Sequence, residues 1–520
     1  MDQTEAPTRQ RRGRSARHAE RAATPTGDER AVWPGMPGGR YRPLSDADEL
    51  KVHEAVMTLV ENIGFAGAIP PMIERVTARG GWVCEHGRLH FPRALVEGIL
   101  SRCKKSFIAH GQTREHDLEI ADGRVHLGSG GASPNIVDLE SGRYRGAMLA
   151  DLYDVARIVD TQSNIHFYDR SLVARDVEEV LPFDLNTAYA VLSGTAKHVG
   201  TSITVADNVE PAVGLFDAVA GGEGLYRRNP FAMLLSCHVV PPMRFAEEAL
   251  WVIEKAIPLG MPVMLVSAGQ AGATAPSKLA GTVAQAMAEA LAGLVYCNLI
   301  DPDATIITGP KPIVSDLRTG AMCGGSGEQA IVAAATTQMA RYYGIPCSVM
   351  AGISDSKVPD AQSGYEKGYT ITLAAQAGCS MITQTCGMQA SLLGLTMEGY
   401  IIDNDMLGAI LRTVRGIEVT DENLSVETIR EVVLGEGHYL GHPQTLANMT
   451  RDYLYPEIAD RLSPSDWEER GSLDIRERAR EEARRILMEH FPRHIDDVTD
   501  ARIREHFPIM LPREKMTPRP

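Results

Sequence analysis

The feature of this 520-residue chain that most constrains its fold is an alternation of short β-rich runs with longer helical stretches. Seven runs rich in β-branched and other apolar residues lie at 163–168, 198–204, 231–237, 261–267, 304–308, 345–351 and 379–383, and an eighth candidate lies near 125–129. Stretches rich in Ala, Leu, Met and Glu separate them, among them 245–257, 280–296, 327–343 and 400–415. The last five runs begin 30 to 43 residues apart, which predicts βαβ units and a parallel sheet.

Two architectures satisfy such a pattern, a doubly wound open sheet and a closed barrel. An open sheet usually carries a glycine-rich nucleotide fingerprint after an early strand, and the sequence contains none. The eight strand candidates therefore favour an α/β fold of the (β/α)8 TIM-barrel type, which we expect over residues 125–420.

The regions on either side of this pattern differ from it in composition. Residues 1–37 read as a disordered, Arg-rich tail. Residues 38–124 predict N-terminal α+β additions, a mixed layer of helices and short strands whose first helix starts at a capping box over 45–48. Residues 421–520 predict a C-terminal helical cap on the barrel, because the apolar positions of 475–487 share one helix face.

Charge and composition exclude several classes of protein. The net charge is -15, from 52 Lys+Arg and 67 Asp+Glu, which argues against a nucleic-acid binder, since that class needs a basic face. The longest apolar stretch, 283–300, contains Glu289, so we expect no membrane span. The eight cysteines form no C-x-x-C pair and the basic N-terminus precedes no apolar region, so we expect free thiols in a cytoplasmic protein.

Several familiar motifs are incomplete. The loop Cys323–Glu328 is glycine-rich and precedes a helix, but it lacks the P-loop order of glycines and lysine, so close approach of backbone to a substrate or partner is the milder interpretation. His438 and His442 have the spacing of a metal pair, yet the Gly and Pro residues around them would break the helix, and we predict no metal site. No G-x-S-x-G segment supports a serine hydrolase.

In a barrel, reactive groups lie at or just past the carboxyl ends of the strands. That rule selects residues from six runs and the loops after them: Phe167, Tyr168, Asp169, Arg170, His238, Gly269, Gln270, Lys311, Asp355, Lys357, Gln384 and Cys386. Structural alternatives stay open. The two aromatic residues could be core, His238 could hold a backbone carbonyl, and Asp355 and Lys357 could be a local capping cluster.

Six segments, taken together and in this order, resemble the trimethylamine methyltransferase family from about Gly38 to about Ala501. The segments are GGRYRPLS at 38–45, GGASPNIVDLESGRYR at 130–145, AGATAPSKLAGTVAQAMAEALAG at 271–293, SDLRTGAMCGGSGEQ at 315–329, YYGIPCSVMAGISDSKVPDAQSGYE at 342–366 and GHYLGHPQTLANM at 437–449.

The resemblance implies a TIM-barrel enzyme that moves a methyl group from an amine to the cobalt of a separate corrinoid protein, with no tightly bound cofactor of its own. Founding members carry pyrrolysine in the barrel and act on trimethylamine, whereas this chain has no such residue. Members without it are similar to methyltransferases acting on glycine betaine and other quaternary amines. Glycine betaine is therefore the leading substrate, and carnitine and proline betaine remain open.

This chemistry needs few catalytic groups, because a quaternary nitrogen leaves as a neutral amine without a general acid. We therefore expect no acid/base residue, and assign a cation-binding role to Phe167, Tyr168, Asp169 and Asp355. A substrate carboxylate would be bound by His238, Lys357 and Gln384. Gly324, Gly325 and Gly327 would allow close approach of substrate or corrinoid, with Glu328 beside them.

Three further expectations accompany this assignment. A homo-oligomer is expected, because the C-terminal helical cap offers surface for an interface. A catalytically silent quaternary-amine binding protein is one alternative function. A Schiff-base lyase that uses Lys311 or Lys357 is another, and it requires a lysine that loses its proton in an apolar pocket.

Overall fold

The computed structural model describes residues 31–518. They divide into two compact units. The larger unit holds 34–416 together with the chain from Pro456 onward, and the smaller one holds Ile417–Tyr455. The predicted C-terminal extension over 421–520 is therefore divided, because its last part belongs to the same unit as the strands.

Eight parallel strands organise the larger unit. In chain order they are β1 (Arg124–Leu127), β2 (Phe167–Asp169), β3 (His198–Thr201), β4 (Ala232–Ser236), β5 (Val263–Ser267), β6 (Ile306–Pro310), β7 (Ser348–Met350) and β8 (Met381–Thr383). Each of these strands overlaps one of the predicted runs, so all eight strand predictions are confirmed. The fold is α/β, as expected.

The eight strands form two parallel sheets that meet at two points. One sheet has the order β6-β5-β4-β3-β2, and the other contains β1-β8-β7. Single parallel bridges join Gly128 to Phe167 and Thr308 to Cys347, so they link β1 to β2 and β6 to β7. Consecutive strands along the chain are thus neighbours in space, as short right-handed crossovers require.

A helix lies between each pair of consecutive strands, and another follows β8. The helices of this layer are Leu149–Thr161, Val180–Gly194, Val209–Val219, Glu247–Ala256, Leu279–Ile300, Gly327–Tyr342, Ala361–Ala377 and Met397–Arg415. The four helices predicted by composition are confirmed within three residues at the start. Leu279–Ile300 is long and apolar enough to cross a membrane, but 89% of its most apolar window is buried inside the protein, which is typical of a core helix.

The N-terminal layer has the predicted mixture of helices and short strands. Its helices are Asp46–Thr58, Pro70–Thr77 and Arg93–Arg102, and its antiparallel hairpins pair Trp82–Val83 with Leu89–His90 and Phe107–Ala109 with Leu118–Ile120. The predicted capping box is present, since Ser45 and Asp48 exchange hydrogen bonds. The first helix widens into a π-turn over Leu59–Ile63 before it ends at Gly64.

Order begins earlier than the sequence predicts. The short strand Met36–Pro37 pairs antiparallel with β1, and Met36 is fully buried. The tail predicted over 1–37 is therefore wrong at its C-terminal end, because a buried methionine anchors the chain there. Residues 1–30 lie outside the described part of the chain.

The remaining elements are short strand pairs in the loops and helices after Pro456. The pairs are Asn135–Val137 with Tyr144–Gly146, Val239–Val240 with Arg244–Phe245, Gln270–Ala271 with Ile313–Val314 and Met388–Gln389 with Gly394–Leu395. The later helices are Pro464–Glu469, Ile475–Glu489 and Asp497–His506. Ile475–Glu489 packs against Met397–Arg415, where Arg476 and Arg480 bind the buried Glu398 carboxylate at 3.3 and 3.2 Å.

The smaller unit contains two helices, Val426–Leu434 and Pro443–Arg451. His442 is the N-cap of the second, where its Nδ1 accepts a hydrogen bond from the Gln444 amide at 3.1 Å. That histidine, part of the pair weighed as a metal site, thus has a local role as a cap.

A hydrophobic cluster fills the amino-terminal ends of the strands. Phe167, Met233, Met264, Ile307 and Met381 come from five different strands and pack together. The hairpin Phe107–Ala109/Leu118–Ile120 closes over them with Ala109, Leu118 and Ile120. We call these eight residues the floor cluster. It leaves the carboxyl ends of the strands as the place for polar chemistry.

One buried ion pair joins the two helices that follow β7 and β8. Lys367 is fully buried, and its Nζ lies 2.7 Å from Asp403 Oδ2. The same oxygen accepts a hydrogen bond from the Gly387 amide at 2.8 Å. Removing one partner of such a pair leaves a charge buried without compensation.

We therefore expect Lys367→Met to lower the free energy of unfolding by about 3–5 kcal/mol, measured by denaturant titration. The double variant Lys367→Met/Asp403→Leu should recover a large part of that loss, because it removes both charges. Lys255→Met, which breaks the exposed pair of Lys255 with Asp207, is the matched control and should unfold like the wild type. Equal stability of the two single lysine variants would contradict this interpretation.

Candidate functional site

The carboxyl ends of β2, β6 and β8 bring a carboxylate, an ammonium group and a hydroxyl–amide pair to one region. Asp169 is the last residue of β2, Lys311 follows β6, and Thr383 and Gln384 stand at the end of β8. The Lys311 Nζ donates to Thr383 Oγ1 at 2.8 Å and lies 3.6 Å from the Met264 sulfur. Thr383 Oγ1 in turn donates to Gln384 Oε1. These contacts place the Lys311 side chain between strands, directly above the floor cluster.

Asp169 is the most perturbed carboxylate of this region. Its side chain is buried, and its Oδ1 has no hydrogen-bond partner among residues 31–518. Burial raises the pKa of the Asp169 carboxyl to about 7, and the Lys311 ammonium opposes that rise. Burial also lowers the pKa of Lys311, with Asp169 opposing the change. Each group therefore stabilises the charged form of the other in a poorly solvated place.

Two glycines provide the space for these side chains. A Cβ on Gly200 would lie 2.1 Å from Asp169 Oδ1. A Cβ on Gly130 would lie 3.1 Å from Gln384 Nε2 and 3.4 Å from Asp169 Cβ, and Gly130 has a φ of +138° that other residues rarely adopt. A larger residue at either position would displace a polar group of the site.

Arg170, the residue after Asp169 in the chain, is a second buried cation of this region, and the charged groups that act on it are Asp184 and Cys237. Its guanidinium lies over the Phe183 ring, 5.7 Å from the centroid, and its buried Nε has no hydrogen-bond partner in the described part of the chain. Burial lowers the pKa of Arg170. Cys237 follows β4 and is accessible to solvent, although burial raises the pKa of its thiol and both Lys311 and Arg170 lower it. Cys237 is thus an exposed thiol on which two cations act.

Strand alternation separates the two aromatic residues that the sequence assigned to a cation. Phe167 belongs to the floor cluster, below Asp169 on the same face of β2. Tyr168 points to the opposite face, where its hydroxyl lies 2.5 Å from Ser171 Oγ and close to Tyr400. Because both rings are fully buried packing residues, the expectation that they bind a cation is corrected, whereas Asp169 keeps its place in the site.

His238 is also a structural residue. It is fully buried, with Nδ1 3.1 Å from the Val266 carbonyl and Nε2 3.0 Å from the Glu289 carbonyl. Burial lowers the pKa of His238 to about 4, so the ring is neutral and its single N–H donates to one of these carbonyls. Because both ring nitrogens contact the protein's own backbone, the prediction that His238 binds a substrate carboxylate is corrected.

Asp355 ties the glycine-rich loop to the loop after β7. Its carboxylate accepts hydrogen bonds from the Gly324 amide at 3.0 Å, the Gly325 amide at 3.3 Å and the Cys323 thiol at 3.3 Å, and also from the Ser391 hydroxyl. These four donors occupy the carboxylate, which makes it a local organising group. The capping role that the sequence left open for Asp355 belongs instead to Asp360, the N-cap of the helix Ala361–Ala377.

The glycines of that loop pack against the protein itself. A Cβ on Gly324 would lie 2.5 Å from Ile353, and one on Gly325 would lie 2.3 Å from Glu366. A Cβ on Gly327 would meet nothing within 4 Å. Close approach of other residues of this chain explains the glycines at 324 and 325. Position 327 has room for a larger side chain, so space does not explain its glycine.

The remaining predicted residues, Lys357 and Glu328, are exposed. The Lys357 Nζ donates to the Asp355 carbonyl at 2.6 Å, so it lacks the apolar pocket that a Schiff-base lysine needs, whereas Lys311 is buried. Glu328 lines a separate cavity of about 420 Å³ together with Asp316 and Arg318. Of the predicted polar residues, Asp169, Lys311 and Gln384 are the ones that the structure brings together.

Sequence reasoning assigned no role to three residues of this region: Arg170, Gly130 and Gly200. Arg170 was among the residues selected at the strand ends, directly after Asp169, but it received no binding role. The glycines carried no comparable signal, because their importance comes from side chains that approach them from other strands.

Sequence comparisons place this chain in one family of methyltransferases. A family model described as trimethylamine methyltransferase (MTTB) matches residues 10–509. A glycine betaine methyltransferase of Desulfitobacterium hafniense is 27% identical over 465 residues, which cover 89% of this chain and 96% of the relative. The trimethylamine methyltransferase MttB1 of Methanosarcina mazei is 31% identical over 461 residues, 87% of this chain and 92% of the relative. The crystal structure of the Methanosarcina barkeri monomethylamine methyltransferase aligns with a TM-score of 0.48 at 12% identity, over 86% of this chain and 95% of that one.

The electrostatic coupling in the site can be tested without a substrate. Because the Lys311 ammonium favours the ionised form of Asp169, Lys311→Met should raise the pKa of Asp169 above its wild-type value of about 7. Infrared titration of the protonated carboxyl band, identified by its loss in Asp169→Asn, measures this shift. Lys357→Met is the matched control and should leave the band's midpoint unchanged, and a similar midpoint in both lysine variants would refute the coupling.

Proposed function

The chain belongs to the trimethylamine methyltransferase family and is an amine methyltransferase, and on that premise we propose that its methyl donor is a quaternary amine that also carries a carboxylate. Glycine betaine is the simplest such molecule, and carnitine and proline betaine share its two charges. The observation that carries the proposal is the buried Asp169 carboxylate, whose Oδ1 has no partner among residues 31–518, beside the Lys311 cation at the carboxyl ends of the strands. A zwitterion offers an opposite charge to each of them. A relative of this chain named glycine betaine methyltransferase supports the choice.

We further propose that the eight strands close into a (β/α)8 barrel. Six parallel ladders and the two bridges from Gly128 and Thr308 connect every strand to its neighbours in chain order, including β8 to β1. In such a barrel the carboxyl ends form one rim. Asp169, Lys311, Thr383 and Gln384 would then surround a single chamber above the floor cluster.

Asp169 is proposed to face the quaternary nitrogen. Methyl groups shield that nitrogen, so it makes no hydrogen bond and needs only a nearby negative charge. The carboxylate is ionised with difficulty because it is buried, and a bound cation stabilises its charged form. When the methyl group leaves, the nitrogen becomes neutral and this stabilisation ends. The site therefore binds the donor better than the product amine, which favours product release.

The substrate carboxylate is proposed to lie between Arg170 and Lys311. The buried Arg170 Nε without a partner is a donor aimed at no group of the described chain. Gln384 Nε2, which borders the space beside Gly130, can supply a further donor. Anchoring the carboxylate fixes the far end of a small donor, so that one N-methyl group points toward the open rim.

The methyl acceptor is proposed to be the Co(I) of a corrinoid carried by a separate protein, acting as second substrate. In the displacement, the carbon–nitrogen bond breaks with both electrons remaining on nitrogen, while the acceptor's electron pair forms the new bond to carbon. No proton moves, so no residue has to act as an acid or base. The residues of this chain contribute by holding the donor in line with the acceptor.

All eight cysteines are free thiols in the structure, which supports the cytoplasmic location predicted from the sequence. The homo-oligomer stays a prediction.

The direct test is an optical assay with the purified protein, chemically reduced cob(I)alamin and a panel of glycine betaine, carnitine, proline betaine and trimethylamine. We expect loss of the Co(I) spectrum with a donor that has both charges and little change with trimethylamine. Preference for trimethylamine would overturn the zwitterion proposal but keep the family chemistry. Binding of glycine betaine without methyl transfer, also in the presence of a native corrinoid protein, would favour the binding-protein alternative.

The state of Asp169 predicts a pH dependence. Its pKa is raised to about 7, so the group is protonated and neutral below that pH and attracts a cation less. Affinity for glycine betaine, measured by calorimetry, should therefore weaken as the pH falls from about 8 to about 6. Asp169→Asn should bind at least about ten-fold more weakly at high pH and lose this dependence, because opposite charges about 4 Å apart attract by about 4 kcal/mol at an effective dielectric constant of about 20.

The matched control for that experiment is Glu328→Gln, which removes one carboxylate at an exposed position of another cavity. It should bind glycine betaine like the wild type at every pH. An Asp169→Asn protein with unchanged affinity and an unchanged pH profile would place the cation elsewhere.

A further inference from the structure

The hairpin Trp82–Val83/Leu89–His90 carries a cysteine and a histidine on the same face. Trp82 pairs with His90 in the register, and the Cys84 amide donates to the Arg88 carbonyl at 3.0 Å, so the pairing continues to Cys84. Alternate residues of a strand share a face. Trp82, Cys84 and His90 therefore project to one side of the hairpin, and Cys84 is partly exposed there.

His90 is held in one tautomer with its second nitrogen free. Its Nδ1 lies 2.7 Å from the Glu61 carbonyl, which can only accept, so Nδ1 carries the proton. The side chain is 5% exposed, and Nε2 has no hydrogen-bond partner among the residues that the structure describes. The Trp82 ring stacks on the imidazole at 4.8 Å with an interplanar angle of 9°. A buried acceptor nitrogen is thus fixed by two contacts on the face of the hairpin that carries Cys84.

The interaction with His90 lowers the pKa of the Cys84 thiol to about 7. The other charged groups nearby are engaged elsewhere. Glu85 and His86 in the exposed turn lie 3.7 Å apart, and the Arg88 guanidinium donates to the carbonyls of Ile63 and Gly64. A nucleophile whose neighbouring base is oriented by a third group is the general arrangement of an activated side chain.

We propose that Cys84 is a modification site, a reactive surface thiol that exchanges with small disulfides. In this reaction the Cys84 thiolate attacks one sulfur of the disulfide, a new sulfur–sulfur bond forms to Cys84, and the other half leaves as a thiolate, so the electrons balance without another oxidant. The site is separate from the chamber that holds Asp169, and methyl transfer does not use it.

The other accessible thiols provide internal controls. Cys237 is exposed and Cys323 is partly exposed. Burial raises the pKa of both, to about 11 for Cys323, so neither is a thiolate at neutral pH. A reagent that needs a thiolate should distinguish Cys84 from both within one protein sample.

The experiment is alkylation of the folded full-length protein with limiting iodoacetamide over a range of pH, with each cysteine quantified by peptide mass spectrometry. Cys84 should react at least about ten-fold faster than Cys237 and Cys323 near neutral pH, with a midpoint near 7 that moves to about 8.5 when the protein is unfolded in urea. Oxidised glutathione should add one glutathionyl group to the wild type and none to Cys84→Ser.

His90→Asn tests the role of the histidine, since the asparagine amide can replace the Nδ1 donor but has no group at the Nε2 position. The alkylation midpoint of Cys84 should rise by about 1.5 pH units, to the value of a free cysteine. If this variant fails to fold, the comparison of folded and unfolded wild type decides. A folded wild type in which Cys84 titrates like the unfolded chain, or reacts no faster than Cys237, would overturn the proposal.

Discussion

The burial of a carboxylate without a full set of hydrogen bonds is the constraint on which the site depends. Asp169 Oδ1 has no hydrogen-bond partner within the described chain, and the Lys311 ammonium is the charged group that stabilises its ionised form. Such a group is unfavourable for folding, because transfer of charge from water is costly unless it is compensated. The surrounding residues reduce that cost only in part. The floor cluster and the two glycines explain how the chain can hold a charge in this place, and a ligand of opposite charge would complete it.

Much of the architecture was predictable because it depends on periodic patterns. The eight strands were visible as short apolar runs at regular intervals, and the capping box at Ser45 marked the first helix within one residue. The π-turn at Leu59–Ile63 and the anchoring of Met36 were not, since each depends on contacts with distant parts of the chain. Periodicity reports which face of an element is apolar, and it does not report where a segment finds its partner.

The site was predictable in part, and the errors have a common cause. Proximity to a strand end identified Asp169, Lys311 and Gln384, but direction decides which neighbours join them. Since successive residues of a strand point to opposite faces, an inward Asp169 requires an outward Tyr168, and this rule alone would have excluded a joint aromatic contact. His238 and Asp355 could not be resolved in this way. They contact backbone groups of other segments, and no sequence pattern predicts such contacts.

The hairpin that completes the floor cluster has a consequence for the order of events. Since this hairpin fills the amino-terminal end of the strands, the proposed chamber has one opening, at the carboxyl ends of the strands. The proposed donor, product amine and acceptor protein would then all use that opening. An acceptor that docked first would block the donor, so in the proposed reaction the donor enters before docking and the product amine leaves after undocking. Because the floor cluster closes the other end, the turnover rate of such an enzyme would depend on this order of binding and release as well as on the methyl transfer itself.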